Sequence, residues 1–270
     1  MLDPALTASF EIPGDRGAVL CLHGLTSSPY QMRPLGEAFA EAGFHVLAPR
    51  AQGHGTRPED FQHTRWTDWL ASYRRAFDRL AKTHDRIAIV GLSMGALSAL
   101  TLAHEQGERV AAVVAMATPL ELEWKTQALF STVRRMPFAD TLPFWPKSDG
   151  PDISDAAAAA ASPGYGRVPL VAAASMLDGQ RAVLDCVERL GVPVLVQHGR
   201  HDHVAPVRNA HRLMRLLHTP RRRLAIYPRS WHIISLDVEH EAVIADALDF
   251  IGPLLDPPSP DPEPDPEAAP

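Results

Sequence analysis

Three features of the sequence predict an α/β chain built on one mostly parallel, doubly wound sheet with helices on both faces and a small insertion. Short all-apolar runs recur along the chain, as parallel strands covered on both faces require. Stretches of helical spacing separate these runs, and strand alternating with helix specifies a parallel sheet. The rhythm then breaks once, over about residues 120–186, where no strand signal occurs before Val192.

In order, the start of the chain to Pro13 carries acidic residues and no apolar leader run. Residues 18–22 and 45–48 are expected strands, joined by a helix over 32–42 on which Leu35, Phe39 and Ala42 share a face. A second helix is expected over 66–80, a strand over 86–90, a helix over 96–104 and a strand over 110–116. Between residues 120 and 186 lie Trp124, Phe130, Phe138, Phe144 and Trp145 among prolines, a composition that suits a cap over one end of the sheet. Its alanine run at 156–161 predicts a short helix without chemistry of its own. The rhythm resumes with a strand over 192–197, a helix over 207–217, a strand-like run over 223–227 and a last helix over 239–255. The expected organisation is therefore a core of residues 1–119 and 187–255, a cap of 120–186, and a disordered, acidic, proline-rich tail of 256–270, whose composition buries too little apolar area to offset ordering.

Composition sets further bounds. With 270 residues, 46% of them apolar, the chain can enclose one substantial core. A net charge of -6 with both signs interspersed offers no field to follow a phosphate backbone, so nucleic acid is not an expected partner. Cys21 lies in an apolar run and Cys186 in a helical one, which gives a disulfide framework no support. No stretch holds the roughly 18 uninterrupted apolar residues of a membrane span, and a soluble, cytoplasmic protein is expected.

The chemistry is concentrated in Gly91-Leu92-Ser93-Met94-Gly95, directly after one predicted strand and directly before one predicted helix. A serine on such a tight turn exposes its Oγ, the glycines allow close approach of neighbouring elements, and the helix N-terminus favours developing negative charge. Its hydroxyl needs a base. Of 13 histidines, His232 in Trp231-His232-Ile233-Ile234 sits where the chain order nucleophile, acid, histidine requires, whereas His84, His104, His211, His218 and His240 lie on polar or helical stretches. The acid is Asp202, presented after the strand over 192–197, with Asp178 and Asp237 fitting the chain order less well. Amides of Leu25, in His23-Gly24-Leu25, and of Met94 are the expected oxyanion donors. Leu25, Met94 and Ile233 are also expected to contact substrate. His54, between Gly53 and Gly55, is assigned to scaffold. A metal site is not expected at His201, Asp202 and His203, because adjacent turn residues rarely converge on one ion, and Arg221 to Arg223 reads as a solvated turn.

From about Gly17 to Leu255 these residues resemble the α/β-hydrolase carboxylesterases and monoacylglycerol lipases of bacteria. His23-Gly24-Leu25 looks like their oxyanion turn, Gly53-His54-Gly55 like a strand-end loop, and Gly91 to Gly95 like their nucleophile elbow. The acid loop from His198-Gly199 to Asp202 and the histidine loop Ser230 to Asp237 match as well. The chain departs at Ala96, where these relatives carry a second glycine, and in its cap. The resemblance implies an α/β-hydrolase fold and cofactor-free hydrolysis of a small-molecule carboxylic ester through an acyl-Ser93 intermediate, with short or medium acyl esters or monoacylglycerols as substrates. The rivals are a thioesterase, lactonase or amidase on the same triad, and, from another class, a slow-turnover ligand-sensing module with a vestigial triad. Dehalogenase and epoxide hydrolase chemistry is disfavoured, since it needs a carboxylate nucleophile where Ser93 stands.

Overall fold

The computed structural model describes residues 2–136, 144–146 and 150–255. In chain order its strands are β1 (Phe10–Ile12), β2 (Ala18–Leu22), β3 (His45–Ala48), β4 (Ile87–Leu92), β5 (Val110–Met116), β6 (Phe144–Pro146), β7 (Arg167–Pro169), β8 (Val194–Gly199) and β9 (Arg222–Tyr227). Seven of them form one sheet in the order β1-β3-β2-β4-β5-β8-β9. Every neighbouring pair is parallel except β1 against β3.

Strands β2, β4, β5 and β8 are buried along their whole length, which is why they read as unbroken apolar runs. Alternate side chains still go to opposite faces. Leu20, Ile89, Val113 and Val196 join a core with the helices Trp66–Leu80 and Met94–Gln106. Val19, Val90, Val114 and Leu195 join another with the helices Arg33–Glu41 and His240–Leu255. Each such side chain taken from water contributes roughly 2 kcal/mol before the entropy of ordering is counted.

Differences from the expected elements have local causes. The helix expected over 32–42 is a 3-10 turn, Pro29–Met32, followed by the helix Arg33–Glu41, with a proline in the first turn of each, where no N–H partner is needed. The strand expected from residue 192 begins at Val194, because Pro193 has no N–H for the ladder. β1 lies outside the expected strands: Phe10-Glu11-Ile12 alternates apolar and polar, but three residues are too few to show a period of two, and it is added antiparallel at the sheet edge.

Between β5 and β8 the chain forms the helices Trp124–Val133, Ala156–Ala161, Leu170–Ala174 and Met176–Cys186. The absence of strands expected for this stretch is corrected by β6 and β7, which pair antiparallel. Each is three residues long and ends in proline, too short to show a period of two. Asp155 caps the alanine helix by accepting from the amides of Ala157 and Ala158. The helix Met176–Cys186 lies against Met94–Gln106. Phe138 and the tail of residues 256–270 lie outside the described residues. Cys21 and Cys186 are free thiols. Among the described residues no helix is long and apolar enough to cross a membrane.

Candidate active site

Ser93 follows the last residue of β4 and precedes the first of the helix Met94–Gln106, at φ 56° and ψ -115°. A non-glycine residue held in such a conformation costs about 1–3 kcal/mol, so its surroundings must over-determine it. They do so through hydrogen bonds and close packing. Ser93 N–H donates to Met116 O at 2.9 Å, and Ser93 O accepts from the amides of Ala96 and Leu97. A Cβ on Gly95 would stand 2.1 Å from Leu22 O, and one on Gly91 would stand 2.2 Å from Gly95 O, so the turn closes only with both positions bare. Ala96, the departure from the relatives' pattern, buries its methyl completely in the core.

The loop after β9 carries His232, whose Nε2 is 2.9 Å from Ser93 Oγ and whose Nδ1 is 2.7 Å from Asp202 Oδ2. An ionised carboxylate only accepts, so Nδ1 bears the proton and Nε2 is left to accept from the serine hydroxyl. Asp202 lies in the loop after β8. Its Oδ1 accepts from the amides of Val204 and Ala205 at 2.9 and 2.7 Å, and its Oδ2 also meets His198 Nε2 at 3.1 Å. Burial pushes its pKa up, but the electrostatic pull of the adjacent His232 and the bonds from His198 and His232 outweigh burial and hold the carboxyl well below the usual range.

The turn after β2 faces Ser93, and a Cβ on Gly24 would lie 3.4 Å from Ser93 Cβ. His23 is fully buried, which lowers its pKa to about 4 against the opposing pull of its bond to Gly24. Neutral, it donates from Nδ1 to Gly24 O at 2.9 Å and accepts at Nε2 from Ala51 N–H at 3.1 Å. In a trans peptide the C=O and the next N–H point in opposite directions, so fixing Gly24 O aims Leu25 N–H away from His23. Met94 N–H belongs to the first turn of its helix, where intrahelical acceptors are lacking.

A cavity of about 350 Å³ opens on these groups, with Leu25, Ser93, Phe130, Tyr165, His232 and Ile233 in its wall. Met94 is a correction: its side chain is fully buried in the core and is not in that wall, so only its amide can face substrate. Of the aromatic residues between β5 and β8, Phe130 and Tyr165 reach the cavity, while Trp124 and Trp145 are 68% and 55% exposed. A larger hollow of about 550 Å³ at the opposite ends of β4 and β5 is lined by Arg86, His104, Glu108 and Arg189.

Residues 13–239 match the family described as serine aminopeptidase, S33. The chain belongs to this family. A thermostable monoacylglycerol lipase from Bacillus sp. (strain H-257) is 29% identical over 252 residues, covering 92% of this chain and 96% of the lipase. A carboxylesterase from Bacillus subtilis (strain 168) is 27% identical over 246 residues, 90% of this chain and 95% of the esterase. A structure from work on LipS and LipT, two metagenome-derived lipolytic enzymes, superposes with a TM-score of 0.85 at 28% identity, covering 93% of this chain and 99% of that one. The monoacylglycerol lipase of Paleococcus ferrophilus superposes with a TM-score of 0.76 at 20% identity, over 91% and 98% of the two chains, a likeness of fold. The chain has the α/β-hydrolase fold.

In this S33-family hydrolase the competing acids have other tasks. Asp178 pairs with Arg134 at 2.8 Å. Asp237 accepts from the amides of Trp231 and Val238 and from Ser154, so it shapes the histidine loop from beneath. His54 is buried edge-on to His23, Phe61 and Trp69, and burial drives its pKa well down. His203 bonds Asp152 rather than His201 or Asp202, and no group of three His, Cys, Asp or Glu among the described residues could hold a metal ion. Sequence reasoning placed His198 in the acid loop without its contact to Asp202, and missed Gln31, whose Oε1 accepts from Gly24 N–H at 3.2 Å, and Asp152. No local pattern marks Gln31 or Asp152, since each acts through folded neighbours.

Proposed function

We propose that the chain is a serine esterase that hydrolyses carboxylic esters through an acyl-Ser93 intermediate. The observation that carries the proposal is the continuous Asp202–His232–Ser93 hydrogen-bond relay opening on a mainly apolar cavity. The carboxylesterase and the monoacylglycerol lipase that it resembles over nearly their whole length support ester chemistry.

In the first half-reaction Ser93 Oγ attacks the ester carbonyl as His232 Nε2 takes its proton, and Asp202 stabilises the resulting imidazolium without accepting the proton. The amides of Leu25 and Met94 receive the oxyanion; losing one such donor costs roughly 10²–10³ in rate. Collapse breaks the ester C–O bond, and His232 returns the proton to the departing alcohol. Water, deprotonated by the same nitrogen, then attacks the acyl-serine; the acyl–Oγ bond breaks, His232 returns the proton to Ser93 Oγ, and the acid is freed. We assign Leu25 and Ile233 to the acyl wall and read residues 120–186 as the cap, with Phe130 and Tyr165 as the parts that reach substrate. The sequence of steps uses only these groups and water.

The test is a chain-length series of p-nitrophenyl esters, with wild type and Ser93→Ala, followed by intact mass after an organophosphonate probe. Expected are short-to-medium acyl preference, loss of at least about 10³-fold in kcat for Ser93→Ala, and a single adduct on wild type only. Undiminished turnover in Ser93→Ala would overturn the proposal. A higher kcat/KM on a matched amide or thioester would move the assignment to that chemistry.

A further inference from the structure

Asp152, in the stretch between β6 and the alanine helix, has a side chain 15% exposed that reaches both loops of the acid–base pair. Its Oδ2 accepts from the backbone N–H of His232 at 3.2 Å and from that of His203, the residue after Asp202, at 3.0 Å. Oδ1 meets His203 Nδ1 at 2.8 Å, and Asp152 O accepts from Ile233 N–H at 3.1 Å. Two residues on, Ser154 and Asp155 donate their amides to Asp237, which in turn holds Trp231 N–H at 2.7 Å. One short strap thus grips the residues on both sides of His232 and the residue next to Asp202. It also forms part of the cavity wall.

We infer that Asp152 is a positioning residue: its carboxylate sets the spacing of the loops bearing Asp202 and His232, and so the aim of Nε2 at Ser93 Oγ. The inference rests on the esterase reading above. The chemical reason is that three N–H donors from two separate loops converge on one carboxylate, and no neutral side chain has enough acceptor capacity on both oxygens to satisfy all three. Without it the acid and base loops, which come from different strands, keep the Asp202–His232 bond, the backbone bond from His201 N–H to Ser230 O at 3.2 Å and the edge contact of the His203 and Trp231 rings, none of which ties the backbone of His232 itself to the acid loop. Displacement of a reacting group by about 1 Å can cost 10²-fold in rate.

The experiment compares wild type, Asp152→Asn, Asp152→Ala and Ser93→Ala on one p-nitrophenyl ester, with active sites counted by organophosphonate titration. Asparagine keeps an acceptor oxygen for the two backbone N–H groups and should therefore rescue in part. Per titrated site, kcat should fall about threefold in Asp152→Asn and at least about 30-fold in Asp152→Ala, with KM changed less than about threefold in both. Undiminished turnover in Ser93→Ala would overturn the esterase reading itself. With Ser93→Ala inactive, the positioning role alone is overturned by any of three results: Asp152→Ala within threefold of wild type per site, a loss confined to KM, or an asparagine variant as impaired as the alanine one.

Discussion

At the scale of single residues the site depends on groups that are costly where they stand. Ser93 is held in left-handed backbone conformation, and Asp202 is a nearly inaccessible carboxylate stabilised by four donors. Asp202→Asn presents an amide that can turn an N–H toward His232 Nδ1 and reverse the imidazole's tautomer. We expect kcat to fall about 10³–10⁴-fold with little change in KM, checked by steady-state kinetics; a tenfold loss or less would remove the orienting role. The same carboxylate links folding to pH. Its folded pKa is depressed below the unfolded value of about 3.9, so its stabilising contribution is present above that pH and is lost as pH falls toward the folded value. The difference in melting temperature between wild type and Asp202→Asn should accordingly narrow below about pH 4, and a difference that stays constant into acid would contradict the linkage. Ser93 and His232 were legible because a glycine-flanked turn and a fixed chain order constrain them. Asp202 was separable from Asp237 by order alone, since both are acids in loops after late strands. Asp152 left no trace, because its role exists only after residues 80 positions apart meet.

At the scale of elements, the junction of β4 with its helix depends on the absence of side chains. Gly95→Ala drives a methyl into the carbonyl of Leu22 on the neighbouring strand, a backbone atom that cannot swing aside. The cost expected is about 3 kcal/mol, by analogy with overpacked cores, read as a lower urea midpoint with unchanged slope. An unaltered midpoint would mean that the strand and helix separate freely. This junction was also the easiest part of the chain to read. Strands buried on both faces leave runs such as Val113 to Met116 that admit no other explanation once helices flank them. β1, β6 and β7 carry no such signature, since three residues with a charge or a terminal proline look like loop until a partner strand supplies the hydrogen bonds.

At the scale of the whole molecule, residues 150–165 cross the site and are fastened at both ends. One end is the strap from Asp152 to Asp155, and the other is Tyr165, whose hydroxyl donates to Gly53 O at 2.8 Å and accepts from Thr56 N–H at 3.2 Å. Tyr165→Phe strands both groups, which should cost about 1–3 kcal/mol and speed cleavage between residues 150 and 170 in limited proteolysis. Protection equal to wild type would show that the strap alone is sufficient. The relay itself joins partners 139 positions apart in the chain, Ser93 near the middle of the sheet order and His232 after its last strand. During synthesis at about 5–20 residues per second, roughly 7–28 s separate the emergence of the two. For that interval the nascent chain carries Ser93 without His232, the residue proposed as its base, so the relay can close only after the last strand of the sheet has emerged.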